Sequence, residues 1–159
     1  MHDLGKIGIP DRILLKEGTL TPEERQQMME HPSIGHAILK DEHSTDLTDM
    51  AAEIAYNHHE KWEGGGYPRG LSGEAIPLSA RIVALCDVYD ALRMDRPYKS
   101  AWSPERAQAY ILEQSGRHFD PTLVTIMSRC FAAIERLIEE DAAHRAARPR
   151  DNLRADPAA

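Results

Sequence analysis

The sequence is poor in aromatic residues and cysteine and has no long apolar run. Aromatic side chains make up 6% of the 159 residues, so we expect a mainly aliphatic core. No apolar run approaches the roughly 18 residues that a membrane-spanning helix requires, and the start lacks the basic-then-apolar pattern of a secretory signal. Cys86 and Cys130 lie far apart within apolar helical patterns, which favours reduced core residues over a disulfide. These absences predict a cytoplasmic protein with no membrane partner.

An excess of positive charge is also absent. The formal net charge is −7 at pH 7. Broad binding to nucleic acid needs a basic surface that displaces counterions from phosphates, so we expect no DNA partner. An anionic substrate would have to meet positive charge concentrated in one place, and metal ions can supply it.

The alternation of apolar and polar residues that is typical of β-strands is not sustained anywhere, whereas helix signals recur. "TPEE" at 21–24 combines an N-cap, a proline at the first helical position and a capping-box glutamate. Pro32 and Pro77 are expected to begin further helices, and Ser103-Pro104 and Asp120-Pro121 repeat the cap-and-proline pattern. Helices are predicted over 22–30, 32–40, 46–59, from 77 onward, 104–115 and 121–140. The prediction is an all-α fold in one domain.

Two segments depart from the helical pattern. Residues 60–76 carry five glycines and one proline, which predicts a long loop, and loops of this length inside compact domains are commonly functional. Residues 141–159 are rich in Ala, Arg, Asp and Pro and predict a disordered tail. We therefore expect one domain over 1–140 followed by that tail.

Side chains that suit metal binding are spread along the predicted helices and loops. The candidates are His2, Asp3, His31, His58, His59 and Asp87. Asp87 interrupts the apolar run "RIVALCDVYDAL", where a carboxylate is costly to bury unless it is paired or binds a metal. Imidazole and carboxylate together suit Fe, Mn, Zn or Ni, and two ions sharing a carboxylate can promote in-line attack at phosphorus. Each pattern alone is weak, because such pairs also cap helices or form ion pairs.

The order and spacing of the motifs are more specific. "HDLGKIGIP", His31, "HHEKWEGGGYP", "DVYDALRMDRPYK" and "HFDP" strongly resemble the HD-GYP family, a subgroup of the HD-domain metal-dependent phosphohydrolases. Its two signatures stand here as His2-Asp3 and Gly66-Tyr67-Pro68. The resemblance runs from residue 2 to about 127 and implies an HD-domain helical bundle with a long glycine-rich GYP loop. Family members usually have an upstream helix with a further ligand, so the resemblance also implies that this chain lacks the first helices of the domain.

The resemblance implies a bacterial signal-transduction hydrolase that cleaves cyclic di-GMP to the linear dinucleotide, and further to GMP, by attack of a metal-bound hydroxide. Two or three ions, iron or manganese, would be held by His2, Asp3, His31, His58, His59 and Asp87. Asp3 would bridge two ions because a carboxylate has two oxygens, and Lys6 resembles the lysine that contacts the scissile phosphate. The implied partners are cyclic di-GMP, an upstream receiver or sensor domain, and diguanylate cyclase domains.

The resemblance also implies a nucleotide pocket. Tyr67 would line it, and Arg96 and Lys99 of "RPYK" would contact guanine or the second phosphate. Asp90 would accept a hydrogen bond from guanine or orient Arg96. The chain departs from the family at Arg93-Met94, where a small Thr-Ser pair is usual, and an arginine there would either bind phosphate or crowd the pocket.

Two other functions stay open at this point. One is an HD phosphohydrolase that acts on another nucleotide. The other is a catalytically impaired signalling module that binds cyclic di-GMP or a partner protein through the GYP loop. The acid that protonates the leaving ribose oxygen is also open between Lys6 and a metal-bound water.

Overall fold

A computed structural model of the chain describes residues 1–41, 45–95 and 100–147. The regular elements in these ranges are helices: two 3₁₀-helices, Leu4–Gly8 and Gly73–Ala75, and α1 (Asp11–Leu14), α2 (Pro22–Met28), α3 (His31–Leu39), α4 (Asp46–Asn57), α5 (Leu78–Arg93), α6 (Pro104–Glu113) and α7 (Pro121–Ala147). Apart from an isolated bridge between Ser115 and Phe119, these ranges contain no β-pairing. The all-α prediction is confirmed.

The helices begin where the capping signals place them. Thr21 and Glu24 form a reciprocal capping box at the start of α2, with N–H···O distances of 2.8 and 3.3 Å. Ser103 accepts the Arg106 backbone N–H at the start of α6. These bonds satisfy N–H groups that have no partner inside a helix, and so they fix the first turn.

The buried face of α5 combines small side chains with large ones. The buried residues of α5 are Ala80, Ala84, Leu85, Tyr89 and Leu92. Ile82, in the apolar run "RIVALCDVYDAL", is 43% exposed, and Cys86 is also exposed. They lie two positions from the buried alanines, and two positions on a helix turn a side chain through about 200°.

The buried apolar side chains of α4 are also small. Ala51, Ala52 and Ala55 are the buried apolar residues of α4, which packs between α3 and α5. Ala80 and Ala84 of α5 are likewise buried, whereas the larger Ile82 of α5 is exposed. Cys130 is exposed as well, so the expectation that both cysteines are core residues was wrong.

The first 3₁₀-helix lies directly against the start of α3. A Cβ atom at Gly5 would stand 1.9 Å from the backbone oxygen of His31 and 2.4 Å from the nitrogen of Gly35. Only a residue without a side chain permits this approach. The contact brings the His2-Asp3 pair beside His31.

By its backbone contacts the chain divides into two units, Met1–Ser128 and a second that begins at Arg129. All of the site residues described below belong to the first. Helix α7 extends to Ala147, so the first residues of the predicted tail are helical, in keeping with the high helix propensity of their alanines. Residues 148–159 lie outside the described ranges, and the domain boundary near 140 stays a prediction. No helix in the described ranges has the length and apolar character needed to cross a membrane.

Candidate metal centre

Four predicted ligands converge where the first 3₁₀-helix meets α3 and the end of α4. Asp3, His31, His58 and His59 each place one donor atom within 4.8 Å of the others. Asp3 immediately precedes the 3₁₀-helix, His31 begins α3, and His58 is the residue that ends α4. Three distant parts of the sequence therefore supply one cluster.

The two remaining predicted ligands lie at the edge of this cluster. His2 Nε2 is 3.6 Å from Asp3 Oδ2 and 3.4 Å from Asp87 Oδ1, which approaches from α5. The structure thus brings all six predicted ligands together. Their role as ligands stays a prediction.

The carboxylate of Asp3 lies at the centre of the cluster. Its Oδ1 is 3.4 Å from His31 Nε2 and 3.8 Å from His58 Nε2, and its Oδ2 is 2.6 Å from Lys6 Nζ. Burial alone would raise the pKa of Asp3, but the hydrogen bond from Lys6 and the positive charge of Lys6 act in the opposite direction, and the pKa lies below its usual range. Asp3 is therefore ionised at neutral pH.

The imidazoles of the cluster are oriented by backbone carbonyls behind them. His31 Nδ1 lies 2.7 Å from the Met28 oxygen, and His58 Nδ1 lies 3.0 Å from the Ala55 oxygen. Carbonyl oxygens only accept hydrogen bonds, so both Nδ1 atoms carry a proton and donate. Each Nε2 atom, which faces Asp3, is therefore left with a free lone pair.

The lone pairs of these nitrogen and oxygen atoms face one another and need a cation among them. The Nε2 atoms of His31 and His58 are 3.4 Å apart, and both face an oxygen of Asp3. With the tautomers set by the carbonyls, neutral imidazoles offer no proton here, so lone pairs meet lone pairs unless a proton or a metal ion intervenes. Metal-binding histidines are commonly oriented in this way, through a hydrogen bond from the other ring nitrogen. The residues present fit a metal site.

Burial keeps the central imidazoles neutral. It lowers the pKa of His58 to about 4, and burial followed by repulsion from His58 lowers the pKa of His59 to about 3. Only a neutral imidazole offers a lone pair to a metal. At pH 7 these two residues are therefore ready to bind one.

A hydrogen bond joins His2 and Asp87 instead and favours the protonated form of the imidazole. The hydrogen bond to Asp87 is the largest cause of a raised pKa for His2, and the same bond lowers the pKa of Asp87. Binding of a metal by His2 would have to release the proton that this pair shares.

The glycine-rich loop folds back onto the cluster. The Tyr67 ring stacks on the His59 imidazole, with centroids 4.7 Å apart and planes inclined by 24°. A Cβ atom at Gly66 would lie 2.5 Å from Glu60 Cα and 2.6 Å from the His59 oxygen. The glycine is thus required for contact between two backbone segments.

The other predicted substrate residues are only partly placed by the structure. Asp90 is exposed on α5, one turn after Asp87, and Arg96 and Lys99 lie outside the described residues. Arg93, the departure from the family pattern, donates a hydrogen bond to the Trp102 carbonyl and so helps hold the segment that precedes α6. No sequence pattern gave a role to Glu60, which is buried against the loop.

Comparison with known proteins identifies the family. A family model described as the HD domain matches residues 1–123. The chain is 51% identical over 148 residues to a "Cyclic di-GMP phosphodiesterase" of Vibrio cholerae, covering 91% of this chain and 29% of that protein. It is 50% identical over 137 residues to the "Cyclic di-GMP phosphodiesterase response regulator RpfG" of Xanthomonas campestris, covering 86% of this chain and 36% of that protein.

A solved structure gives the same result for the fold. A cyclic GMP-AMP specific phosphodiesterase of Vibrio cholerae superimposes with a TM-score of 0.52 at 28% identity, over 76% of this chain and 25% of that one. The chain therefore spans about a third or less of the length of the proteins it matches.

Proposed function

The chain belongs to the HD domain family, with the Gly66-Tyr67-Pro68 signature of the HD-GYP subgroup, and from this premise we propose that it is a metal-dependent phosphodiesterase domain that hydrolyses cyclic di-GMP. The observation that carries the proposal is the convergence of Asp3 with His31, His58 and His59. Two relatives that are about half identical to the chain bear that activity in their names.

Asp3 and the surrounding histidines would hold two ions, and the family favours iron or manganese. Oδ1 of Asp3 faces His31 and His58, whereas Oδ2 faces His2, which is paired with Asp87. A carboxylate with ligands on both sides suits a bridging position. Bound ions supply an activated water and neutralise the charge of the phosphodiester.

The residues of the chain would bind and orient the substrate. Lys6 is held beside the cluster by Asp3 and presents a cation to a phosphate oxygen, where it stabilises the negative charge that develops during attack. Tyr67 forms a wall beside His59 against which a base can pack. Asp90, Arg96 and Lys99 complete the proposed nucleotide contacts, and the products would be the linear dinucleotide and then GMP.

Chromatography of cyclic di-GMP incubated with the purified chain tests this proposal. With manganese or ferrous iron present, we expect the linear dinucleotide to accumulate, and a chelator to stop its formation. The matched control is His59→Ala, which removes one donor from the centre. Intact cyclic di-GMP under every metal condition would contradict the proposed function.

A second substrate is favoured by one observation. A solved structure that superimposes on this chain is a cyclic GMP-AMP specific phosphodiesterase. Running both cyclic dinucleotides in the same assay separates the candidates. Faster cleavage of cyclic GMP-AMP would replace cyclic di-GMP as the substrate, and binding of either nucleotide without cleavage would support a signalling module.

A further inference from the structure

The carboxylate of Glu60 is buried beside the candidate metal centre and has no part in the proposed chemistry. Glu60 follows His59 directly and is 2% exposed. None of the ion pairs in the described ranges includes it. Burial of a charge is costly unless hydrogen bonds compensate it, so the position of this side chain requires an explanation.

Both oxygens of Glu60 accept hydrogen bonds from the backbone of the glycine-rich loop. Oε1 accepts the Arg69 N–H at 2.7 Å, and Oε2 accepts the Leu71 N–H at 2.9 Å. Gly70 lies between these donors with a φ of +65°, a conformation that favours glycine and turns the chain between them. Hydrogen bonds to a carboxylate are roughly twice as strong as neutral ones. Through these two bonds Glu60 connects residues 69–71 of the loop to the segment that carries His59.

Residues 66 and 67 of the loop pack on the same segment through their backbone. The Tyr67 N–H donates to the His59 oxygen at 3.2 Å, and Gly66 lies against the backbone of His59 and Glu60. These contacts place the Tyr67 ring on the His59 imidazole. The His59-Glu60 segment therefore carries a candidate ligand and holds the loop at residues 66–67 and at residues 69–71.

We infer that Glu60 is a positioning residue whose carboxylate holds the glycine-rich loop in the conformation that sets Tyr67 against His59. The structural part of this inference concerns the loop alone. Its kinetic consequence rests on the proposed function, because Tyr67 then forms the nucleotide side of the active site. The two parts have separate tests.

Amide hydrogen exchange in the 159-residue chain tests the structural part without metal or substrate. Glu60→Gln keeps the size of the side chain but turns an NH₂ group toward a backbone N–H. We expect the Arg69 and Leu71 amides to exchange at least about 10-fold faster, with Gly73, which donates to the Trp62 oxygen, unchanged. Unchanged exchange at both Arg69 and Leu71 would overturn the inference.

The control is Glu63→Gln, the same substitution at an exposed glutamate of the same loop. It should leave exchange at Arg69 and Leu71 as in the wild type, and equal acceleration in both variants would also overturn the inference. If Glu60→Gln loses its helical circular dichroism, Glu60→Asp replaces it. Aspartate keeps the charge but is too short to reach both donors, so the same acceleration is expected.

Steady-state kinetics with manganese test the consequence. Glu60→Gln should raise KM for cyclic di-GMP about 10-fold or more, whereas bound metal and turnover of bis-nitrophenyl phosphate should change less than about 3-fold. Equal losses on both substrates together with loss of metal would show a merely structural role.

Adding Tyr67→Ala should raise KM no further than either substitution alone, and additive effects would overturn the inference. A wild type without cyclic di-GMP hydrolysis refutes the proposed function and leaves the exchange result to decide the role of Glu60.

Discussion

At the scale of single residues, Asp3 connects the parts of the candidate centre. One oxygen contacts His31 and His58 and the other contacts Lys6. Asp3→Asn keeps the shape but removes the negative charge and one acceptor. We expect bound metal to fall at least about 10-fold and proposed hydrolysis about 100-fold or more, with the helical circular dichroism retained. Metal analysis and the chromatographic assay measure both.

The control for this substitution is Asp11→Asn, which changes an exposed aspartate at the start of α1. It should leave metal content and hydrolysis near the wild-type level. Wild-type metal content in Asp3→Asn would remove Asp3 from the centre.

Gly5 has a structural role that the sequence did not reveal. A methyl group there would meet the His31 backbone oxygen at 1.9 Å, and a backbone atom cannot move aside as a flexible side chain can. Gly5→Ala should therefore lower the free energy of unfolding by at least about 1–3 kcal/mol. It should also weaken metal binding, because Asp3 precedes the same 3₁₀-helix. Urea unfolding and metal titration measure the two effects.

Ile7→Ala provides the comparison, since Ile7 belongs to the same 3₁₀-helix but is 78% exposed. Its free energy of unfolding should change by less than about 0.5 kcal/mol. Equal stability of the two variants would mean that the first 3₁₀-helix does not pack tightly on α3.

At the scale of elements, two helices share a cap-and-proline start but differ in what the cap contacts. Asp120 Oδ1 accepts the Thr122 N–H at the start of α7, and its Oδ2 is 2.6 Å from Arg81 on α5. Asp120 is 6% exposed, whereas Ser103, the cap of α6, is exposed. The same sequence signal thus marks a surface cap in one helix and a buried link between helices in the other.

Substitution by alanine separates these roles. Asp120→Ala should lower the free energy of unfolding by about 3–5 kcal/mol, because it leaves the Arg81 guanidinium without its buried partner. Ser103→Ala removes a cap alone and should cost about 1 kcal/mol. Chemical denaturation compares them, and equal losses would show that the Asp120–Arg81 pair contributes nothing beyond the cap.

The starts of the elements were predictable from sequence, but their packing faces were not. Prolines and caps act locally, so Thr21 and Ser103 marked helix starts correctly. Which side of α5 is buried depends on how it packs against the neighbouring helices, and the structure buries Ala80 and Ala84 but exposes Ile82. Glu60 was missed because its partners are backbone N–H groups 9 and 11 residues away, which no side-chain pattern records.

At the scale of the whole molecule, the pH dependence of stability should reflect its neutral imidazoles. Burial lowers the pKa of His58, His59 and His118 in the folded chain, to about 4, 3 and 4. Below the ordinary value of 6.5, the unfolded chain binds protons that these residues cannot bind while folded. The free energy of unfolding of the metal-free chain should therefore have its full value above pH 6.5 and fall as the pH drops from 6.5 toward 4.

His2 opposes this trend, because its raised pKa favours the folded state at lower pH, but it is one residue against three. His118 offers a test away from the candidate ligands. His118→Gln should reduce the loss of unfolding free energy between pH 7 and 4.5 by about 1 kcal/mol, a value discounted for partial exposure. Denaturation at both pH values measures it, and an unchanged loss would contradict neutral burial of His118.

The residues that converge could be named from the sequence because its motifs keep their order and spacing. His2-Asp3, His31, His58-His59 and Asp87 stand at four widely separated points, and the fold brings them together. The sequence could not give the distances that make Asp3 central, since these depend on Gly5 lying against α3.

Metal analysis of the purified chain tests the central claim most directly. After reconstitution with manganese and removal of free ions, the wild type should retain about two ions per chain. Fewer than one ion per chain, or equal retention by wild type and Asp3→Asn, would contradict a metal centre built on this cluster.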